Sequence, residues 1–129
     1  RKCRVVLVGD QAFAGHLGVS SHWMVHYLNA GMTDCPLKRQ QEADFMTGFD
    51  TGFGARHAET LGRIGARFGL DYLVIDCAEM PDGRLLVFEV DPGAVVHSMD
   101  PEEMFPYKHP AMRRVRQAFR ALLARQAGR

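Results

Sequence analysis

The chain has 129 residues, 47% of them apolar and 24% charged, with a formal net charge of +1; this suits one globular domain with its own core and singles out no strongly charged partner. Three cysteines without regular spacing argue against a disulfide framework and fit a reducing cytoplasm, and no apolar run reaches the ~18 residues of a membrane helix. No signal peptide is visible, and the chain enters a strand-like run almost at once without a methionine, so an upstream segment is expected.

Residues 3–8 are apolar and β-branched, and Gly9-Asp10 reads as a turn, so 3–8 and 12–19 are predicted to form a hairpin. Residues 23–28, Trp-Met-Val-His-Tyr-Leu, read as a short strand ended by Asn29-Ala30-Gly31. Pro36 suits a first helical turn, and the helix that follows has Leu37, Phe45, Met46 and Phe49 as candidate buried residues. A second helix over 55–68 places Ala58, Leu61, Ile64, Gly65 and Phe68 on one face and stops at Gly69. Residues 72–77 read as a strand, Asp82-Gly83 as a two-residue turn, and 85–90 as the returning strand. Asp91-Pro92-Gly93 ends that strand, and a polar, proline-containing loop runs to Pro110. The last helix, over about 110–127, sets Met112, Val115, Phe119 and Leu122 on one face. The expected fold class is α+β, an antiparallel β-sheet with packed helices, in a single domain over 1–129.

A two-residue loop at Asp82-Gly83 would put Asp76 directly opposite Glu89, and Val74 opposite Asp91. Strand side chains alternate with period two, so Asp76, Glu89 and Asp91 would share one face. Directly opposed residues have Cβ atoms ~4.5–5.5 Å apart, where like charges destabilise the pair. A raised pKa on one acid, or a hard cation with oxygen ligands, would relieve the repulsion. Three acids without an all-protein cage fit magnesium, held by few carboxylates plus substrate phosphates, better than calcium. The plainer alternative is a solvated acidic face beside arginines. A slip of one residue in the turn would move Glu89 off the face of Asp76.

The run Gly69-Leu70-Asp71-Tyr72-Leu73-Val74-Ile75-Asp76, then Asp82-Gly83, then Phe88-Glu89-Val90-Asp91-Pro92 resembles the C-terminal signature of the ATP-grasp superfamily. In that family an acid on one strand and Glu-x-Asn on the next hold magnesium that bridges the ATP phosphates. The resemblance gives Asp76 and Glu89 the first two places and puts Asp91 where the family usually has asparagine. The opening Cys3-Arg4-Val5-Val6-Leu7-Val8-Gly9 is similar to the family's Arg-Val-x-Val-x-Gly strand, which implies a catalytic and phosphate-facing place for Arg4. Phe88 matches the apolar position beside adenine; a core aromatic is its plainer reading. Met24 and His26 replace the Arg and Asn of a Trp/Phe-Arg-x-Asn segment in related ligases, and Val74 stands where many members carry an arginine. A wider stretch, 25–32 with 105–110, is similar to ATP-grasp-like regions attached to tetratricopeptide-repeat proteins.

The resemblance implies an ATP-grasp C-terminal subdomain with ATP and Mg2+ as cofactors. ATP would phosphorylate a small-molecule carboxylate, and an amine or thiol acceptor would displace the phosphate. The lysines that hold the nucleotide would come from an upstream lobe absent from this chain. The face meeting that lobe is expected to be apolar, so the fragment would tend to self-associate. The alternative is a non-catalytic ATP-grasp-like module that binds nucleotide or a partner.

His97, after the Asp91-Pro92-Gly93 turn, is a candidate phosphate or substrate contact or a structural histidine. His16, His22 and His26 would offer zinc ligands if 22–26 were helical. Cys77 reads as a small buried hydrophobe. The arginines of 111–129 read as the solvated face of a helix, so no nucleic-acid partner is expected.

Overall fold

The β-branched start of the chain forms the middle of a sheet. β1 (Lys2–Val8) and β2 (Gln11–Gly18) make an antiparallel hairpin closed by Gly9-Asp10. β3 (Tyr72–Glu79) pairs with the other edge of β1, and β4 (Leu85–Asp91) pairs with β3. The sheet order is therefore β2-β1-β3-β4, antiparallel throughout. The computed structural model describes residues 1–96 and 99–128, and its fold is α+β with helices packed on this sheet. His97 lies outside the described residues. Among the described residues, no helix is long and apolar enough to cross a membrane.

The helices are α1 (Pro36–Thr47), α2 (Phe53–Arg56), α3 (Ala58–Phe68) and α4 (Lys108–Ala127). Strand alternation divides the sheet's apolar residues between two cores. Cys3, Val5, Leu7, Leu73, Ile75 and Cys77 pack with Met46, Phe53 and Leu61 from the first three helices. Val6, Val8, Phe13 and Val74 pack with Val115 and Leu122 of α4. Because β1 and β3 are covered on both faces, they read as near-continuous apolar runs. Each fully buried aliphatic side chain, such as Ile75 or Leu61, contributes roughly 1.5–3 kcal/mol.

Local signals fail where tertiary contacts decide. Residues 23–28 are not a strand; bends lead into a single 3-10 turn at Tyr27–Asn29. The Tyr27 ring stacks on His16 at 4.4 Å between centroids, and its hydroxyl donates to Glu42 at 3.0 Å. These anchors override the strand preference of the segment. His22 and His26 precede that turn and share no helical face, so the zinc alternative loses its premise. The helix expected over 55–68 is two helices, α2 and α3, broken at His57. His57 is buried, lies against Phe53, and has Nε2 2.9 Å from Glu79 Oε1, which holds the break in place. α3 buries Leu61 but leaves Ala58 and Phe68 exposed, and α1 leaves Leu37 exposed while burying Met46. α4 buries Met112, Val115 and Leu122 as expected, with Phe119 at its margin, edge-on to Tyr72.

Candidate functional site

The β3–β4 turn is not a two-residue loop. Met80 N–H donates to Arg84 O at 2.8 Å and Gly83 N–H to Met80 O at 2.9 Å, so Pro81-Asp82-Gly83 is a three-residue loop. Gly83 has φ 81°, the left-handed residue that such loops place last. Next to the loop Glu79 faces Leu85, Ala78 faces Leu86 and Cys77 faces Val87, one step off the expected register. Between Cys77 and Asp76 the register shifts, leaving Phe88 unpaired as a β-bulge. Beyond it Asp76 faces Glu89 and Val74 faces Asp91. The three acids thus share a face by register, through a longer loop and a bulge that cancel.

Phe88 lies on the edge strand, where Leu86 and Val87 are exposed as well, and is itself 54% exposed, which overturns its reading as a core aromatic and leaves its ring open to solvent.

Asp76 is 3% exposed and is neutralised by the neighbouring strand. Arg4 stands opposite it on β1 and donates twice, Nε to Oδ1 at 2.7 Å and Nη2 to Oδ2 at 2.9 Å. Lys2 Nζ donates to Oδ2 at 2.9 Å. Burial alone would push this carboxyl up; hydrogen bonds from Arg4 and then Lys2 outweigh that and hold it at about 2. Gly15 makes room for the clamp. It is the extra residue of a second bulge, and a Cβ there would lie 2.7 Å from Arg4 Cγ and 3.1 Å from Arg4 O.

One polar row therefore crosses the sheet: His16, Arg4, Asp76 and Glu89 are successive cross-strand partners on β2, β1, β3 and β4. Glu89 is exposed, and Asp91 Oδ1 accepts from Gly93 N–H at 2.7 Å. Among the described residues, no three His, Cys, Asp or Glu side chains converge into a ready metal cluster, so Asp76, Glu89 and Asp91 share a face without closing on one point. Cys77 is fully buried, and burial pushes its thiol up to about 12, which suits a hydrophobe and not a nucleophile.

A second cluster stands beside this row. Glu42 of α1 is fully buried. Its Oε2 accepts from the hydroxyls of Tyr27 at 3.0 Å and Tyr107 at 2.8 Å. Its Oε1 accepts from Leu17 N–H at 3.1 Å and lies 3.3 Å from Lys108 Nζ. Lys108 Nζ also donates to Asp100 Oδ2 at 2.6 Å and to the Tyr27 hydroxyl. Burial, then the Glu42 charge, raises the Tyr27 phenol; burial, then the bond to Glu42, raises that of Tyr107. Both phenols therefore stay protonated donors. Glu42 was legible in one respect: with Phe45, Met46 and Phe49 it completes an i, i+3, i+4, i+7 face, so an acid occupies an apolar position.

Between the two clusters lies a cavity of about 390 Å3, whose walls include Lys2, Arg4, His16, Tyr27, Asp100 and Lys108. A larger groove of about 640 Å3, between α3 and the β1–β2 hairpin, touches none of the acids or cations of the polar row. Polar groups converge on the smaller cavity, as they do in small-molecule sites. Comparison of the chain with protein-family models, with curated proteins and with solved structures yields no match.

Proposed function

We propose that the polar face of the sheet is the magnesium–nucleotide phosphate site of an ATP-grasp ligase, completed by a second, nucleotide-gripping lobe. The observation that carries this reading is the opposition of Asp76 and Glu89, with Asp91 on the same face and Arg4 beside them. The donors suit a hard cation that takes most of its ligands from phosphate and water. Among the described residues Glu89 makes no side-chain hydrogen bond and Asp91 keeps Oδ2 free. Asp76 Oδ1 accepts one bond, from Arg4, which leaves a lone pair.

Bound ATP would supply the phosphoryl group that activates a carboxylate, with Mg2+ neutralising its charge. Arg4 uses Nε and Nη2 on Asp76, so among the described residues its Nη1 hydrogens are left for phosphate or carboxylate oxygens. Asp76 fixes that guanidinium in place, and Lys2 adds a second positive charge at the same point. The test is calorimetric titration of Mg–ATP into a longer protein that carries this chain and its nucleotide-gripping lobe. Magnesium-dependent binding lost in Glu89→Gln is expected. Binding that is unaffected by Glu89→Gln, or that needs no magnesium, would remove the reading.

Two observations favour a non-catalytic nucleotide- or partner-binding module. Val74 is buried in the α4 core where many ligases carry an arginine, and Arg4 and Lys2 already engage both Asp76 oxygens. Substrate-dependent ADP release separates the two readings.

A further inference from the structure

We infer that the cavity beside the acids binds a small monocarboxylate on an uncharged, apolar body, with its head on Arg4 and Lys2. The inference rests on the ligase reading and names the substrate class of that site. At about 390 Å3 the cavity falls within the ~300–1,000 Å3 of small-molecule sites.

The floor is cationic. Lys2 and Arg4 share the charge of Asp76, and Glu89 and Asp91 also act on Arg4. What suits an anionic head here is the donor hydrogens that the two cations keep. Among the described residues, Arg4 Nη1 makes no hydrogen bond to a side chain or carbonyl, and Lys2 makes one with its three donor hydrogens. Lys108 turns two of its donors to Tyr27 and Asp100 and lies 3.3 Å from Glu42 Oε1. Beside Arg4 stands His16, whose Nε2 is the one buried side-chain polar atom without a partner among the described residues.

The mouth is apolar. Leu28, Val95 and Met99 line the cavity, yet are 83%, 70% and 86% exposed. Large apolar side chains held in water at the rim of a charged floor match a ligand whose body is apolar. An ammonium on the ligand would meet Lys2, Arg4 and Lys108, with Asp100 the acid in the lining and already bonded to Lys108. Amines and zwitterionic amino acids are therefore poor fits.

The test is calorimetric titration of the chain with sodium octanoate, with acetate, octylamine and octyl phosphate as comparators. Octanoate is expected to bind at least tenfold tighter than each comparator. Leu28→Asp and Met99→Asp alter exposed side chains, and should weaken octanoate at least tenfold with an unchanged melting temperature. Octylamine or acetate matching octanoate would overturn the inference, as would rim variants that bind normally. Octyl phosphate binding as tightly as octanoate would overturn the choice of a carboxylate. Mg–ATP affinity, measured on the longer protein, separates the two readings. Failure of octanoate with Mg–ATP binding intact removes only the substrate class. Octanoate binding without Mg–ATP binding keeps the pocket and removes the ligase reading.

Discussion

Glu89 faces Asp76 because Phe88 bulges out of β4 and cancels the offset introduced by the Pro81-Asp82-Gly83 loop. The acidic face therefore depends on two irregularities of the backbone. Gly83 holds the first, at φ 81°, and a Cβ there would meet nothing within 4 Å, so the penalty for another residue is purely conformational. Gly83→Ala should destabilise the chain by about 1–2 kcal/mol, and Gly83→Asn by less. Urea unfolding of the two variants checks the order. An alanine variant as stable as the parent would mean that the loop relaxes to another turn.

The strand pair around Asp76 was legible because it combines β-branched runs with a strong turn signal. Its details were not. A two-residue turn and a three-residue turn followed by a bulge give the same pairing at Asp76 and Glu89, so pairing alone could not tell them apart. Arg4 was singled out by resemblance, but its bond to Asp76 depends on β1 and β3 being neighbours, a long-range pairing that no local pattern contains. The segment at 23–28 looked like a strand because its residues favour one. Its fate was decided by Tyr27 reaching Glu42, fifteen residues away in the chain. The break at His57 was hidden for the same reason, since its partner Glu79 lies on β3.

The bond between Arg4 and Asp76 yields a second prediction. Arg4→Met leaves a nearly buried carboxylate with Lys2 alone, and should cost about 3 kcal/mol. Adding Asp76→Asn removes the stranded charge, so the double variant should be less destabilised than the sum of the single ones. A thermodynamic cycle from denaturant melts measures the coupling. Additive losses would show that the clamp contributes little beyond packing.

Glu89 should behave in the opposite way. It is exposed and makes no side-chain hydrogen bond among the described residues, so Glu89→Gln removes a charge that is repelled by Asp76 and attracted by Arg4, and no hydrogen bond. Stability should stay level or rise slightly, by up to about 1 kcal/mol, while magnesium-dependent nucleotide binding falls. Melting temperature and Mg–ATP affinity, taken on the same samples, read both effects. A lower melting temperature with unchanged affinity would make the acid structural.

Thiol chemistry offers an independent check of the core. Cys3 and Cys77 are direct partners on β1 and β3 and both are buried, whereas Cys35 is partly exposed. Burial pushes the Cys3 thiol up to about 11 and the Cys77 thiol up to about 12. A neutral aromatic disulfide reagent should therefore modify Cys35 first in the native chain, and the other two only after unfolding. Equal rates at all three positions would contradict the burial of Cys3 and Cys77 in the core.

His16 governs the last prediction. Burial is the largest effect on its ring and the Arg4 charge the next; Lys108 and Lys2 act the same way, and Asp76 opposes them. Together they lower its pKa from 6.5 to about 3. The folded chain thus holds this proton less tightly than the unfolded one. Between those values the unfolded state binds more protons, so stability falls as pH falls through the window and is complete above it. The slope attributable to His16 is at most about 1.4 kcal/mol per pH unit. His16→Phe keeps a ring beside Tyr27 and removes the titration. Urea melts at pH 7 and pH 5 should show the parent losing stability relative to this variant at the lower pH. A difference between the two proteins that does not change with pH would mean that the ring gains a proton in the folded state without penalty.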